Sequence, residues 1–241
     1  MITSPSNPRL KLVRKLQVRR GRERLGLFVC EGEDLVEAAL DAGLAPVEAL
    51  VDAERPALTD RLPGFEPVEP RLLAGVSELA HPPRVIAVFR SADLPRLETG
   101  REPAAGLALW HVGDPGNVGS LLRAADALGP AFVCLSPGCA APTGPKALRA
   151  SSGAIFRVPL GGFDRAPGLR IALVPEGATP LPELELGARA TFVLGAERAG
   201  LPSGVVASCD AAATIPRAAG AESLNVAVAG AIALYEWRRR R

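Results

Sequence analysis

The chain predicts an α/β fold whose larger part is a mostly parallel sheet covered on both faces. Three observations lead there. Through the second half of the chain, short apolar runs bounded by Gly or Pro alternate with segments of helical periodicity, the pattern of strands buried on both sides. Loops rich in Gly and polar residues follow three of those runs, where open parallel sheets place their ligands. At 241 residues and 48% apolar content, the chain can bury one large core or two modest ones.

The first segment runs from Ile2 to about Arg90. Pro8–Arg20 is a basic helix with Leu12, Val13 and Leu16 on one side. Leu27–Cys30 is a short strand and Leu35–Ala42 a helix that Gly43 stops. Strands follow at Val47–Val51 and Val85–Phe89. Ser91–Gly106 breaks both periodicities and reads as a linker. Beyond it, strands are expected at Leu107–Val112, Phe132–Leu135, Ile155–Val158, Ile171–Val174, Thr191–Leu194 and Ala211–Ile215, with helices at Val118–Leu128 and Leu224–Arg238. The expected division is a small α/β domain over 1–90, a linker over 91–106 and a second domain over 107–241. There is no internal repeat.

The net charge of +2 hides an asymmetry. Between residues 9 and 24, Arg9, Lys11, Arg14, Lys15, Arg19, Arg20, Arg22 and Arg24 face one acid, Glu23. Arg238–Arg241 adds four more cations. Removing both clusters leaves the rest of the chain at −9. Such polarity suits a polyanionic partner, and phosphate contact is the favoured reading of both clusters over solvated charge.

Other classes fall away. The basic start lacks the apolar core of a signal peptide, and the longest apolar stretch, Leu224–Tyr235, is broken by Asn225 and too short for a bilayer. Cys30, Cys134, Cys139 and Cys209 form no CxxC, and the histidines are His81 and His111, so no metal site is expected. Buried thiols in a reducing cytoplasm are the expectation. The glycines 113, 116 and 119 are not spaced GxGxxG, and GK[ST] is absent, which argues against an ordinary nucleotide-dependent enzyme.

The three loops are Gly113–Ser120, Gly195–Gly200 and Pro216–Ser223. The stretches DPGNVGSLLRAADALG (114–129), FVLGAERAGLP (192–202) and IPRAAGAESLNVAVAGAIALYEWRRR (215–240) resemble, in order and spacing, the three motifs of the SpoU (TrmH) branch of the SPOUT RNA methyltransferases. PKALRASSGAIFRVPL (145–160) is similar to the same family. ITSPSNPRLKLVRKL with GLFVCEG (2–16 and 26–32) resembles the RNA-binding domain that precedes many of these enzymes.

The resemblance implies a deep trefoil knot in the second domain, a homodimer, and S-adenosylmethionine bound by Leu194, Gly195, Gly200, Ile215, Pro216 and Leu224. It implies methyl transfer to a ribose 2′-hydroxyl in RNA, with ribosomal RNA preferred. Transfer RNA is the alternative substrate, and a non-catalytic RNA-binding or ribosome-assembly factor of the same fold the alternative role. Arg123 is the residue it places at the hydroxyl, either neutralising a neighbouring phosphate or acting as base, although a guanidinium rarely deprotonates. Asn117 would hold the loop or the RNA backbone, or serve as a helix N-cap. Glu197 would orient Arg123 or brace the knot. Ser223 and Asn225 would bond substrate phosphate or ribose, or start a helix. Arg149 joins Arg9, Lys11, Arg14, Lys15, Arg19, Arg20 and Arg22 as an RNA-binding candidate. His111 is read as a structural histidine, and Arg217 departs from the apolar residue more typical there.

Overall fold

The computed structural model describes residues 1–79, 81–218, 220 and 223–241. The chain runs α1 (Pro8–Gln17), α2 (Arg19–Leu25), β1 (Leu27–Glu31), α3 (Glu33–Asp41), β2 (Glu48–Asp52), α4 (Pro56–Arg61), β3 (Glu66–Val68), α5 (Pro70–Ala74) and β4 (Val85–Arg90). It continues with β5 (Ala105–Leu109), α6 (Pro115–Leu128), β6 (Ala131–Leu135), α7 (Pro145–Ser151), β7 (Leu160–Gly162), β8 (Leu169–Leu173) and β9 (Thr179–Pro180). The last elements are β10 (Ala190–Leu194), α8 (Ser203–Ala207), β11 (Ala211–Thr214) and α9 (Val226–Arg239).

The first four strands form a sheet in the order β1-β4-β2-β3, antiparallel except for the β2–β3 pair. The other seven form a parallel sheet in the order β7-β6-β5-β10-β8-β11-β9. From β5 the chain steps outward through β6 to β7, and it later places β10 directly beside β5, with Leu109 opposite Leu194. The strand order therefore reverses at the β5–β10 pair, the place where such sheets open a crevice for ligands.

Helices close on this sheet through small residues. A Cβ on Gly230 of α9 would come within 2.3 Å of Leu121 on α6, and one on Gly119 of α6 within 2.4 Å of the Ala147 carbonyl oxygen on α7. One continuous apolar core joins the two sheets, with the Phe28 and Phe156 rings 6.4 Å apart. The predicted linker lies against this core: Leu94 is buried, Arg96 bridges to Leu160 beside β7, and β5 begins at Ala105.

Two expected elements differ. The strand predicted at Ile155–Val158 is a buried 3-10 turn over Ala154–Phe156, and the edge strand comes later at Leu160–Gly162. Apolar periodicity cannot separate a short buried turn from a strand buried on both faces. The helix predicted over Pro8–Arg20 breaks at Val18, which is extended (φ −91°, ψ 143°). Gly21 permits the break, because α2 folds back so tightly that a Cβ there would meet the Lys15 carbonyl oxygen at 1.8 Å.

The arginine run at the end of α9 also departs from its expected phosphate-facing role. Arg238 donates to the Gly129 carbonyl (2.7 Å), and Arg240 to those of Leu184 (2.6 Å) and Leu181 (2.8 Å). Arg239 and Arg240 pair with Glu236, whose carboxyl they hold below the usual range. Arg241 donates to Gly187 and lies over the Trp237 ring. These guanidiniums satisfy carbonyls and a carboxylate of their own chain. Arg240→Ala is expected to lower the melting temperature by about 3–6 °C, read by calorimetry, because two carbonyls and Glu236 lose a donor.

Candidate active site

The carboxyl ends of β5, β8, β10 and β11 converge on one region. At α6, Asp114 is the N-cap: its Oδ1 accepts from the Asn117 backbone N–H (2.9 Å), and Pro115 occupies the first helical position. Its Oδ2 accepts from Lys146 Nζ at 2.7 Å, and that ammonium holds the carboxyl below its ordinary range. Asn117 is thus the third residue of the helix, in its first turn, and is not the cap.

Glu197, in the loop after β10, accepts three hydrogen bonds from the first loop. The donors are the backbone N–H groups of Gly113 (3.2 Å) and Asp114 (3.1 Å) and the side-chain amide of Asn117 (2.9 Å). Asn225 caps α9 by accepting from Ala227 and Val228, and its own amide donates to Asn117 Oδ1 at 3.1 Å. Asn117 therefore joins all three loops. Glu197 braces the first loop and makes no bond to Arg123 among the described residues.

Arg123 projects from α6 into solvent and has no partner among the described residues. Ser223 and Leu224 are exposed just before α9, whereas Ala219, Ala221 and Glu222 of the third loop lie outside the described residues. His111 sits at φ +53° just past β5 with its ring stacked on Trp110 (4.8 Å), and its backbone N–H donates to Ser136 Oγ (3.0 Å).

Partial burial of Glu197 works to raise its pKa, but the bonds from Asn117, Asp114 and Gly113 outweigh it and hold the carboxyl below the ordinary range. A depressed carboxylate contributes stability above its unfolded value, about 4.3, and loses it as pH falls through the folded value. The tie between loops is thus complete at neutral pH. Thermal unfolding is expected to show the parent losing stability more steeply than Glu197→Gln as pH drops below about 4.5.

Beside this junction lies a cavity of about 440 Å³. Leu194, Gly195, Gly200, Ile215 and Leu224 line it as expected, together with Ser223, Asn225 and Glu197, while Pro216 does not. Sequence reasoning missed Leu173, Val174 and Pro175, which close the cavity from the end of β8, and Val226 and Ala229 of α9. The usable signal was the strand-end rule itself, which applies to β8 as it does to β10. Arg217 reaches across the rim to the Pro175 carbonyl (2.8 Å). The 195–200 loop is a tight turn in which Ala196 and Gly200 exchange two backbone bonds and Gly200 takes φ +65°.

The basic candidates divide. Lys11, Lys15 and Arg20 are exposed on α1 and α2, and their side chains have no partner among the described residues. Arg14 donates to the Pro5 carbonyl, Arg9 pairs with Glu48 and Glu66, and Arg19 pairs with Glu23. Arg22 corrects the expectation: it is buried, its guanidinium donates to the Leu16 and Gln17 carbonyls at the end of α1, and burial pushes its pKa down. Arg149 is exposed on α7 and lines a second cavity of about 520 Å³ with Glu31 and Arg84, at the junction of the two sheets. The thiols are free, and burial pushes Cys134 up to about 12.

The SpoU rRNA Methylase family matches residues 105–235, and the MRM3-like substrate binding domain matches residues 7–87. The 23S rRNA (guanosine(2553)-2′-O)-methyltransferase RlmP of Bacillus subtilis (strain 168) is 30% identical, over 98% of each chain. The 23S rRNA (uridine(2479)-2′-O)-methyltransferase of Streptomyces viridochromogenes is 31% identical, over 92% of this chain and 86% of its own. The crystal structure of AdoMet-bound rRNA methyltransferase from Sinorhizobium meliloti superposes with a TM-score of 0.82 at 29% identity, covering 99% of this chain and 97% of that one. A match over more than half the chain, joined to relatives that align along nearly its whole length, means that the chain belongs to the SpoU rRNA Methylase family.

Proposed function

We propose that this protein uses S-adenosylmethionine to methylate a ribose 2′-hydroxyl of ribosomal RNA. The observation that carries the reading is the convergence at Asn117, which locks three strand-end loops beside an apolar cavity and leaves Arg123 free on the adjoining helix. The cavity fits the cofactor: its volume suits a small-molecule site, Leu194, Ile215 and Leu224 offer an apolar wall for adenine, and the loop backbone around Gly195 and Gly200 supplies polar groups to read its edge. When bound, S-adenosylmethionine supplies an electrophilic methyl group.

The chain's own residues position the acceptor. Arg123, a free cation, neutralises a neighbouring phosphate and eases loss of the hydroxyl proton, which a poor nucleophile needs. Ser223 and Asn225 at the cavity mouth hydrogen-bond ribose or phosphate. Residues 1–90 bind RNA through the exposed Lys11, Lys15, Arg14 and Arg20, residues 91–106 connect, and residues 107–241 carry the reaction. Arg149 extends the cationic path across the junction. The curated relatives act on guanosine and on uridine, so the choice of base rests with this chain's own contacts.

The same reading includes a homodimer, supported by Val228 (47% exposed) and Tyr235 (56%) on the outer face of α9. It also includes threading of the segment before α9 as a trefoil knot and a cytoplasmic location. No helix among the described residues is long and apolar enough to cross a membrane. The test incubates purified protein and methyl-labelled S-adenosylmethionine with unmodified ribosomal and transfer RNA, then maps labelled nucleotides. A 2′-O-methyl ribose in ribosomal RNA is expected. Cofactor binding with no methylated ribose in either RNA would overturn the reading.

A further inference from the structure

The chain has 25 arginines and three lysines, two of them in α1. The third, Lys146, stands in the first turn of α7 directly after Pro145 and spans the gap between α7 and α6 to reach Asp114. Both side chains are well exposed, at 59% and 43%, and a pair so exposed adds little to global stability. Its location is the informative feature. One oxygen of Asp114 caps α6 through the Asn117 N–H, the other takes the ammonium, and the Asp114 backbone N–H donates to Glu197. The space for this is specific: a Cβ on Gly116 would lie 2.7 Å from Asp114 Oδ1 and 3.4 Å from Lys146 Cε. The base of Lys146 is also held, because α7 packs backbone-close against Gly119 of α6. Neither Lys146 nor Asp114 lines the cofactor cavity.

We propose that Lys146 is a positioning residue for methyl transfer: its ammonium holds Asp114 in the orientation that caps α6, and so fixes Asn117 between Glu197 and Asn225 and orients the helix that carries Arg123. The kinetic consequence rests on the methyl-transfer reading, while the structural consequence stands apart from it.

The experiment compares the parent with Lys146→Gln, Asp114→Asn and the double variant. Lys146→Gln is expected to lower kcat about fivefold, with RNA KM and cofactor Kd within about twofold of the parent. Asp114→Asn should give a similar loss, and the double variant no more than either single, as for two groups acting in series. Amide hydrogen exchange of Gly113 and Asn117 should quicken about fivefold in Lys146→Gln while the central strands keep their protection. A raised RNA KM with unchanged kcat and a shallower salt dependence would instead make Lys146 a phosphate contact and overturn the proposal. Additive losses in the double variant, or unchanged exchange at Asn117, would overturn it as well. A parent protein that transfers no methyl group would refute the functional reading, and the exchange measurement would still decide the positioning claim.

Discussion

Arg123→Ala is expected to slow methyl transfer about a hundredfold to a thousandfold, the usual cost of removing one preorganised charge-stabilising donor. The fold should survive. Arg123 is exposed and has no partner among the described residues, so truncation leaves no buried group unsatisfied and changes stability by only about 0.5 kcal/mol. Its helix is set independently, by the Asp114 cap at its start and the Gly119 and Gly230 contacts along its sides. Cofactor affinity should stay within about twofold, since Arg123 does not line the cavity. Single-turnover transfer of labelled methyl, calorimetric cofactor titration and thermal unfolding together read the three expectations. An unchanged rate would remove Arg123 from the reaction.

Gly195→Ala is expected to weaken cofactor binding about tenfold to a hundredfold, from overpacking strain of about 1–3 kcal/mol. The added methyl would stand 2.2 Å from the Gly200 carbonyl carbon, 2.4 Å from its oxygen and 2.5 Å from the Leu201 nitrogen. All three are backbone atoms, so relief requires the turn between Ala196 and Gly200 to open, and that turn forms one wall of the cavity. Gly204→Ala is the matched control, because a Cβ there meets nothing within 4 Å. Isothermal titration with S-adenosylmethionine decides between them. Equal affinities in the two variants would mean that the 195–200 turn does not shape the site.

Much of the second half is legible in the sequence. Its strands are buried on both faces, so they read as apolar runs, and β5, β6, β8, β10 and β11 fall within two or three residues of their expected places. The short helices α4, α5 and α8 carry five or six residues each, too few for a periodicity to emerge. Ile155–Val158 was misplaced for a related reason, since burial on every side looks the same in a turn as in a central strand. At the site, Asn117, Glu197 and Asn225 are each expected from the sequence, but Asn117 meets Glu197 at 2.9 Å and Asn225 at 3.1 Å across separations of 80 and 108 residues.

The sequence alone determined the alternation that makes a parallel sheet, the strand-end loops that make its site, and part of the apolar cavity wall, Leu194, Ile215 and Leu224. These are local properties, set by side-chain type and by what glycine permits in a turn. Tertiary structure decided which charges are free. Lys11, Lys15, Arg20, Arg123 and Arg149 stand open to a polyanion, while Arg22 and Arg238–Arg241 are occupied by carbonyls and carboxylates of their own chain. A guanidinium has the same charge in either place, and only the acceptors folded around it determine whether that charge is left for a partner.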